Sequence, residues 1–377
     1  VLSVVETYST GIGGDCFILY HENASGKLHA LNGSGRSPAA ASAEIVRARG
    51  FDSVPKYNIL AATVPGAIDA WYRANRKFGD ADFASLLQPA IHYAENGYAV
   101  TPVIAHNWQN TEDLLAQTPE ASAAYLVDGR APAAGSIHRQ PDLARSLRRV
   151  AREGRDGFYT GEIAEEIVRF SDSHDGLMTL DDLANHKSEW VEPISSSYRG
   201  YEVFEVPPNG QGITTLMALN ILSQTDVSQL PHLGADHVHP LSEAFTLAMA
   251  ERDRFVADSG FNPLPVAEML SDDFAKGQFR RIDMSRALSQ PVESALPNHR
   301  DTVYITVVDR NRNACSFINS VFHSWGSGLV AGSTGINLNN RGAGFVLQDG
   351  HFNQLEGGKR PMNTIIPAMV YRDGKPV

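Results

Sequence analysis

Three stretches of the 377-residue sequence carry side chains whose types and spacing could do chemistry. One begins at Asp301-Thr302, runs through Val303-Tyr304-Ile305-Thr306-Val307-Val308-Asp309, turns, and resumes as Asn313-Ala314-Cys315-Ser316-Phe317-Ile318-Asn319-Ser320. Thr302 offers a hydroxyl, which is a weak nucleophile at its free pKa and needs a base beside it to attack a carbonyl. A second stretch gathers His232, His237 and His239, and neighbouring imidazoles raise the question of a metal. Their spacing matches no zinc template with a further fixed ligand, so no metal is assigned. The third, Thr10-Gly11-Ile12-Gly13-Gly14-Asp15, has the glycines of a phosphate loop but precedes a strand and lacks the Lys-Ser/Thr ending. It reads instead as backbone packed closely against a neighbour.

The elements that must position these residues follow from periodicity and punctuation. Residues 303–309 and 314–320 are β-branched and aromatic runs around a turn, which predicts a buried β-hairpin with Thr302 at its mouth. A Thr in such a run is ordinarily structural. Residues 16–21 and 27–32 predict another hairpin, and Tyr201 to Val206 a further strand. Helices are predicted from about Ala67 to Phe78, from Phe83 to Asn96 before Gly97, over 140–152 and 161–170, and from Ile213 to Leu222. Thr179 is placed to cap a short helix with acidic residues in its first turn. Pro240 is read as the start of a helix from Leu241 to about Asp258, its charges forming surface pairs. Residues 271–300 lose periodicity and read as a surface linker open to processing, and Ile365 to Tyr371 as a strand.

Composition narrows the class. With 42% hydrophobic residues the chain can bury a large core. A net charge of −11 and the lack of a Lys/Arg-rich run argue against nucleic acid and anionic membranes as partners. Two cysteines, Cys16 and Cys315, argue against a disulfide framework and a cysteine zinc site. No apolar run approaches the roughly 20 residues that span a bilayer. The opening Val1-Leu2-Ser3-Val4-Val5 starts in mid-pattern, so residues are expected before it.

The register Thr302-x-x-x-Thr306-Val307-Val308-Asp309, a turn, Asn313-Ala314 and then Phe322-His323-Ser324-Trp325-Gly326-Ser327-Gly328 resembles the start of the small subunit of the γ-glutamyltranspeptidase family. Thr10 to Gly14, Gly157 to Ala164, the block from Thr179 to Gly212, and Gly335-Ile336-Asn337-Leu338-Asn339-Asn340 extend the resemblance over essentially the whole chain. The resemblance implies an α+β fold, the four-layer αββα sandwich of N-terminal-nucleophile hydrolases. It implies a precursor cut between Asp301 and Thr302 into a large-subunit segment, 1–301, and the start of a small-subunit segment, 302–377, together forming one domain. The freed α-amine of Thr302, with a pKa near ~8, would then serve as the base for its own hydroxyl.

Carried over position by position, the resemblance places Ser320 where the family has a Thr that hydrogen-bonds the nucleophile, a role a Ser hydroxyl can fill. Phe322 falls on a substrate-contacting Asn. Arg341 replaces a Glu or Gln, Gly344 replaces the Asp that pairs with the substrate α-ammonium, and Asn363-Thr364 stand for a Ser-Ser pair at the carboxylate. Ser34 occupies the place of the Arg that grips the α-carboxylate, a fork that a Ser cannot imitate. Arg36 is either a substitute for it or a solvated surface residue. Both halves of the α-amino-acid clamp are thus altered, and Arg341 with Gly344 makes the pocket more positive. The run from Gly344 to Lys359 is short for the family's lid loop, which predicts an open pocket. By the same resemblance, the Gly-Gly that forms the family's oxyanion hole is expected beyond Val377.

The function expected first is a self-processing amide hydrolase/acyltransferase of the γ-glutamyltransferase/glutathione hydrolase type. The second is an acylase of other dicarboxylic amides, like the cephalosporin acylases of the family, and a third reading is an unprocessed relative that binds without reacting. No cofactor and no metal are expected. The expected partners are a small amide substrate and the two subunits of one precursor, with further self-association and the choice of cytoplasm or periplasm left open for a soluble bacterial-type protein.

Overall fold

Strand alternation decides which way each side chain of the site can face. The computed structural model describes residues 1–288 and 302–377. Its main strands are β1 (Asp15–Glu22), β2 (Lys27–Gly33), β3 (Glu189–Val191), β4 (Ile194–Tyr198) and β5 (Tyr201–Glu205), then β6 (Val303–Val308), β7 (Ala314–Ser320), β8 (Ala368–Arg372) and β9 (Lys375–Pro376). They form a five-stranded sheet in the order β3-β2-β1-β7-β6 and a four-stranded sheet in the order β9-β8-β5-β4. All pairings between these strands are antiparallel.

Period-two alternation gives each sheet two apolar faces. In β1, Cys16 and Ile18, with Leu31 of β2, pack on Ala67 and Ala70 of helix α1 (Ala67–Phe78). The intervening Phe17 and Leu19 point the other way, where with Ala30 and Ile318 they meet Val206, Ile365, Met369 and Tyr371 of the second sheet. That sheet turns its outer face, at Ile194, toward helices α4 (Gly212–Leu222) and α5 (Ala235–Phe255) through Ile213, Met217 and Ala248. Helices α2 (Phe83–Asn96) and α3 (Pro141–Glu153) build a further core with Trp108, Tyr125 and Trp325. The order is helix, sheet, sheet, helix, the expected αββα sandwich.

Local chemistry sets the element ends. Asp82 caps α2 by accepting from Ser85 N, and Gly97 ends it at φ 92°, a conformation glycine adopts without Cβ strain. Thr179 and Asp182 form a reciprocal capping box.

The structure corrects four expectations. The hairpin forms in the expected register, but β6 is not buried: from Tyr304 to Val308 it is the exposed edge of its sheet. Helix α5 begins at Ala235, with Pro240 inside it. The carbonyl that Pro240 leaves without a donor belongs to Asp236, which is exposed and can be hydrated. The charges of α5 do not form surface pairs one turn apart, because two of them face into the protein. Arg252 is buried and donates to Gln211 and Asp253, and Glu243 is buried and accepts from Leu288 N. The stretch read as a linker folds in its first part as a helix, Asp272–Phe279, capped by Ser271; residues 289–301 lie outside the described residues.

Candidate active site

The ladder between β6 and β7 fixes the candidate nucleophile. Val303 pairs with Asn319, so Thr302 lies beside Ser320, and Thr302 Oγ1 donates to Ser320 Oγ at 3.5 Å. Ser320 is fully buried and its Oγ also accepts from Phe322 N at 2.9 Å. Phe322 itself sits at φ 87°, a left-handed conformation that is strained for a bulky residue. The predicted close packing of the glycine run is present here. A Cβ on Gly14 would lie 2.4 Å from the Ser320 carbonyl oxygen, and one on Gly13 2.1 Å from that of Asn337.

Arg341 is fully buried, with its guanidinium 4.6 Å from the centre of the Phe322 ring. Nη1 donates to Thr364 Oγ1 at 2.9 Å, and Nε forms an ion pair with Asp15 Oδ2 at 3.5 Å. Nη2 is buried and meets no acceptor among the described residues. Burial pulls the guanidinium pKa down to about 10, with Asp15 opposing, so it stays charged at neutral pH. Burial likewise raises the Asp15 carboxyl, and Arg341 pulls it back. Asp15 accepts from Gly35 N and from Asn363 Nδ2, both at 2.9 Å.

The signature Asn339-Asn340 turns out to be scaffolding. Asn339 Oδ1 accepts from Arg341 N and Thr63 Oγ1 while its Nδ2 donates to the carbonyls of Gly13 and Thr63. Asn340 Oδ1 accepts from His323 N, and its Nδ2 donates to the Lys56 carbonyl.

Thr302, Ser320, Phe322, Arg341, Asn363 and Thr364 therefore come together in one neighbourhood. Gly344 borders it, since a Cβ there would lie 3.8 Å from Phe322 Cζ. Ser34 stands behind rather than in it: fully buried, its hydroxyl donates to Asn32 Oδ1 at 2.7 Å and accepts from Asn209 Nδ2 at 3.1 Å. Arg36 is half-buried and paired. Its guanidinium is engaged by Asp258 at 3.0 Å, Glu189 at 3.2 Å and the Gly358 carbonyl at 3.0 Å. Asp301, the other half of the expected cleavage site, lies outside the described residues. The His232 and His237 rings are 5.4 Å apart, while His239 Nε2 lies 2.9 Å from the Asp283 carbonyl.

Sequence reasoning missed Asp15, Asn32 and Asn209. Asp15 carried a signal: a carboxylate between a glycine run and an apolar strand is a buried charge, and a buried charge demands a partner.

Two antiparallel sheets stacked between helical layers are the architecture of N-terminal-nucleophile hydrolases. The chain is an enzyme of the γ-glutamyltranspeptidase family, whose pattern matches residues 1–377. It is 38% identical over 376 residues to the glutathione hydrolase-like YwrD proenzyme of Bacillus subtilis (strain 168), covering 100% of this chain and 70% of that protein. It is 33% identical over 373 residues to the oxamate amidohydrolase proenzyme of Klebsiella pneumoniae, covering 97% and 69%. The crystal structure of cephalosporin acylase from Bacillus halodurans superposes with a TM-score of 0.91 at 38% identity, covering 100% of this chain and 69% of the other. Among the described residues no helix is long and apolar enough to cross a membrane.

Proposed function

We propose that this protein cuts itself before Thr302 and then hydrolyses or transfers the acyl group of amides whose acyl part ends in a carboxylate and carries no α-ammonium. The α-amine of Thr302 takes the Oγ1 proton as Oγ1 bonds to the amide carbonyl carbon. The proton then passes to the leaving nitrogen as the C–N bond breaks, leaving an ester on Thr302 that water or an amino acid resolves. Ser320 orients the hydroxyl, and residues 1–301 and 302–377 act as two subunits of one folded unit.

The observation that carries the choice of acyl group is Arg341. A buried guanidinium with Nη1 on Thr364 and Nη2 lacking an acceptor among the described residues is suited to a carboxylate. Gly344 offers no anion for an α-ammonium, and Ser34 has its hydroxyl occupied by Asn32 and Asn209. The oxamate amidohydrolase name of a 33% identical relative supports the same reading, since oxamate carries a carboxylate and no ammonium. A γ-glutamyl donor is the second reading, favoured by the glutathione hydrolase-like name of a 38% identical relative.

Intact mass of the wild type and of Thr302→Ala, with release assays on glutaryl, pentanoyl and γ-glutamyl anilides, tests the proposal. The expected result is two fragments in the wild type only, and glutaryl turned over best. Preference for the γ-glutamyl anilide would favour the second reading. A single uncut mass with no turnover would overturn the nucleophile assignment.

A further inference from the structure

We infer that Asp15 is a positioning residue that sets how strongly the site selects for charge on the acyl group, by acting as the resident counter-ion of Arg341. The inference rests on the carboxylate reading above. Asp15 is the first residue of β1, fully buried and directly opposite Ser320 in the sheet, so it belongs to the same rigid ladder as the nucleophile's neighbour. Its carboxylate is clamped from two sides, by Gly35 N on Oδ1 and by Asn363 Nδ2 on Oδ2. So fixed, it stands along the Nε edge of Arg341 at 3.5 Å, an ion-pair distance rather than a two-pronged hydrogen-bonded fork. Arg360, the next cation that Asp15 feels, is already engaged with Glu189 and the Ser34 carbonyl.

Asp15 therefore neutralises Arg341 without using its Nη2. An acyl carboxylate arriving at Nη2 is attracted by Arg341 and repelled by Asp15 behind it, and in a buried site both act over several ångströms. Selection for a charged acyl group is the difference between the two. Removing the charge of Asp15 leaves a buried cation for which the substrate carboxylate is the counter-ion, so the preference for charge rises.

Asp15→Asn in the protein expressed from its complete coding sequence tests this, with steady-state kinetics on glutaryl and pentanoyl anilides, which match in chain length and differ in charge. The ratio of pentanoyl KM to glutaryl KM is expected to rise about tenfold. Free glutarate is expected to raise the melting temperature of the variant more than that of the wild type. Asp15→Glu, which keeps the charge, is expected to keep the ratio whatever it does to kcat. Equal movement of both KM values would reveal a packing role only and overturn the inference. The amide of Asp15→Asn sets a second donor against Asn363 Nδ2; should that variant not accumulate, Asp15→Ser removes the charge without this conflict. Failure of both to accumulate even with glutarate in the medium would also overturn it, because the ligand would then not be replacing the lost charge. A wild type indifferent to acyl charge would instead bring down the carboxylate reading. A wild type that selects for charge, with variants that select equally, would bring down the role of Asp15 alone.

Discussion

Glu205 gives the sharpest test of the packing. It ends β5 with 1% of its surface exposed, and its Oε2 meets no donor among the described residues. It faces Gly212 at the start of α4 so closely that a Cβ there would lie 2.6 Å from Oε2. Burial raises its pKa from 4.5 to about 8, so the folded protein keeps it protonated at neutral pH where the unfolded chain has released the proton. A folded pKa above the unfolded one means that stability falls as pH climbs through the interval between them. At about 1.4 kcal/mol per pH unit, the loss between pH 5 and pH 8 is ~3 kcal/mol. Glu205→Gln abolishes this loss while every other titrating group stays in place. Urea unfolding of both proteins at pH 5, 6, 7 and 8 is expected to show the variant gaining on the wild type by ~3 kcal/mol across the series. Any constant cost of the amide cancels in that difference. Parallel pH profiles would refute the argument and show that Glu205 is hydrated or paired in solution.

Substitutions at two further positions test other layers of the reasoning. Ser320→Ala is expected to lower kcat by ~10²-fold with little change in KM, because it removes the group that orients the Thr302 hydroxyl, while Ser320→Thr restores most of the rate; an equal rise in KM would point to a collapsed site instead. Asp69→Ala is expected to destabilise the fold by ~3–5 kcal/mol, since Asp69 is fully buried and accepts from Arg73, Arg155 and Ser188 N; denaturant midpoints within error of the wild type would contradict this.

What was legible in the sequence was whatever rests on neighbouring residues. The ends of α2, from its Asp82 cap to Gly97, and the Thr179 capping box are local chemistry and fall where the residues say. The hairpin of β6 and β7 was visible in its β-branched runs, but burial depends on what lies beyond the strand, so the exposure of β6 was not. Pro240 signals a helix start, but an exposed preceding turn lets the helix begin earlier, at Ala235. In the site, the candidate hydroxyls and guanidinium stood out by register with a known family. The groups that hold them did not: Asp15 and Arg341, or Asn209 and Ser34, meet only in the folded chain.

The interleaving of strands bears on how the protein can be taken apart. Residues 302–377 supply β6 and β7 to one sheet and β8 and β9 to the other, while earlier residues supply the rest of both. The cluster between the sheets draws Phe17, Leu19 and Val206 from one side of the 301/302 junction and Ile318, Ile365 and Met369 from the other. Seven paired positions join β1 to β7 across it. A scission made after folding leaves two polypeptides clasped through both sheets. The same two polypeptides synthesised separately would each present half of an apolar interior to water, so their reassembly is a co-folding problem rather than a docking one.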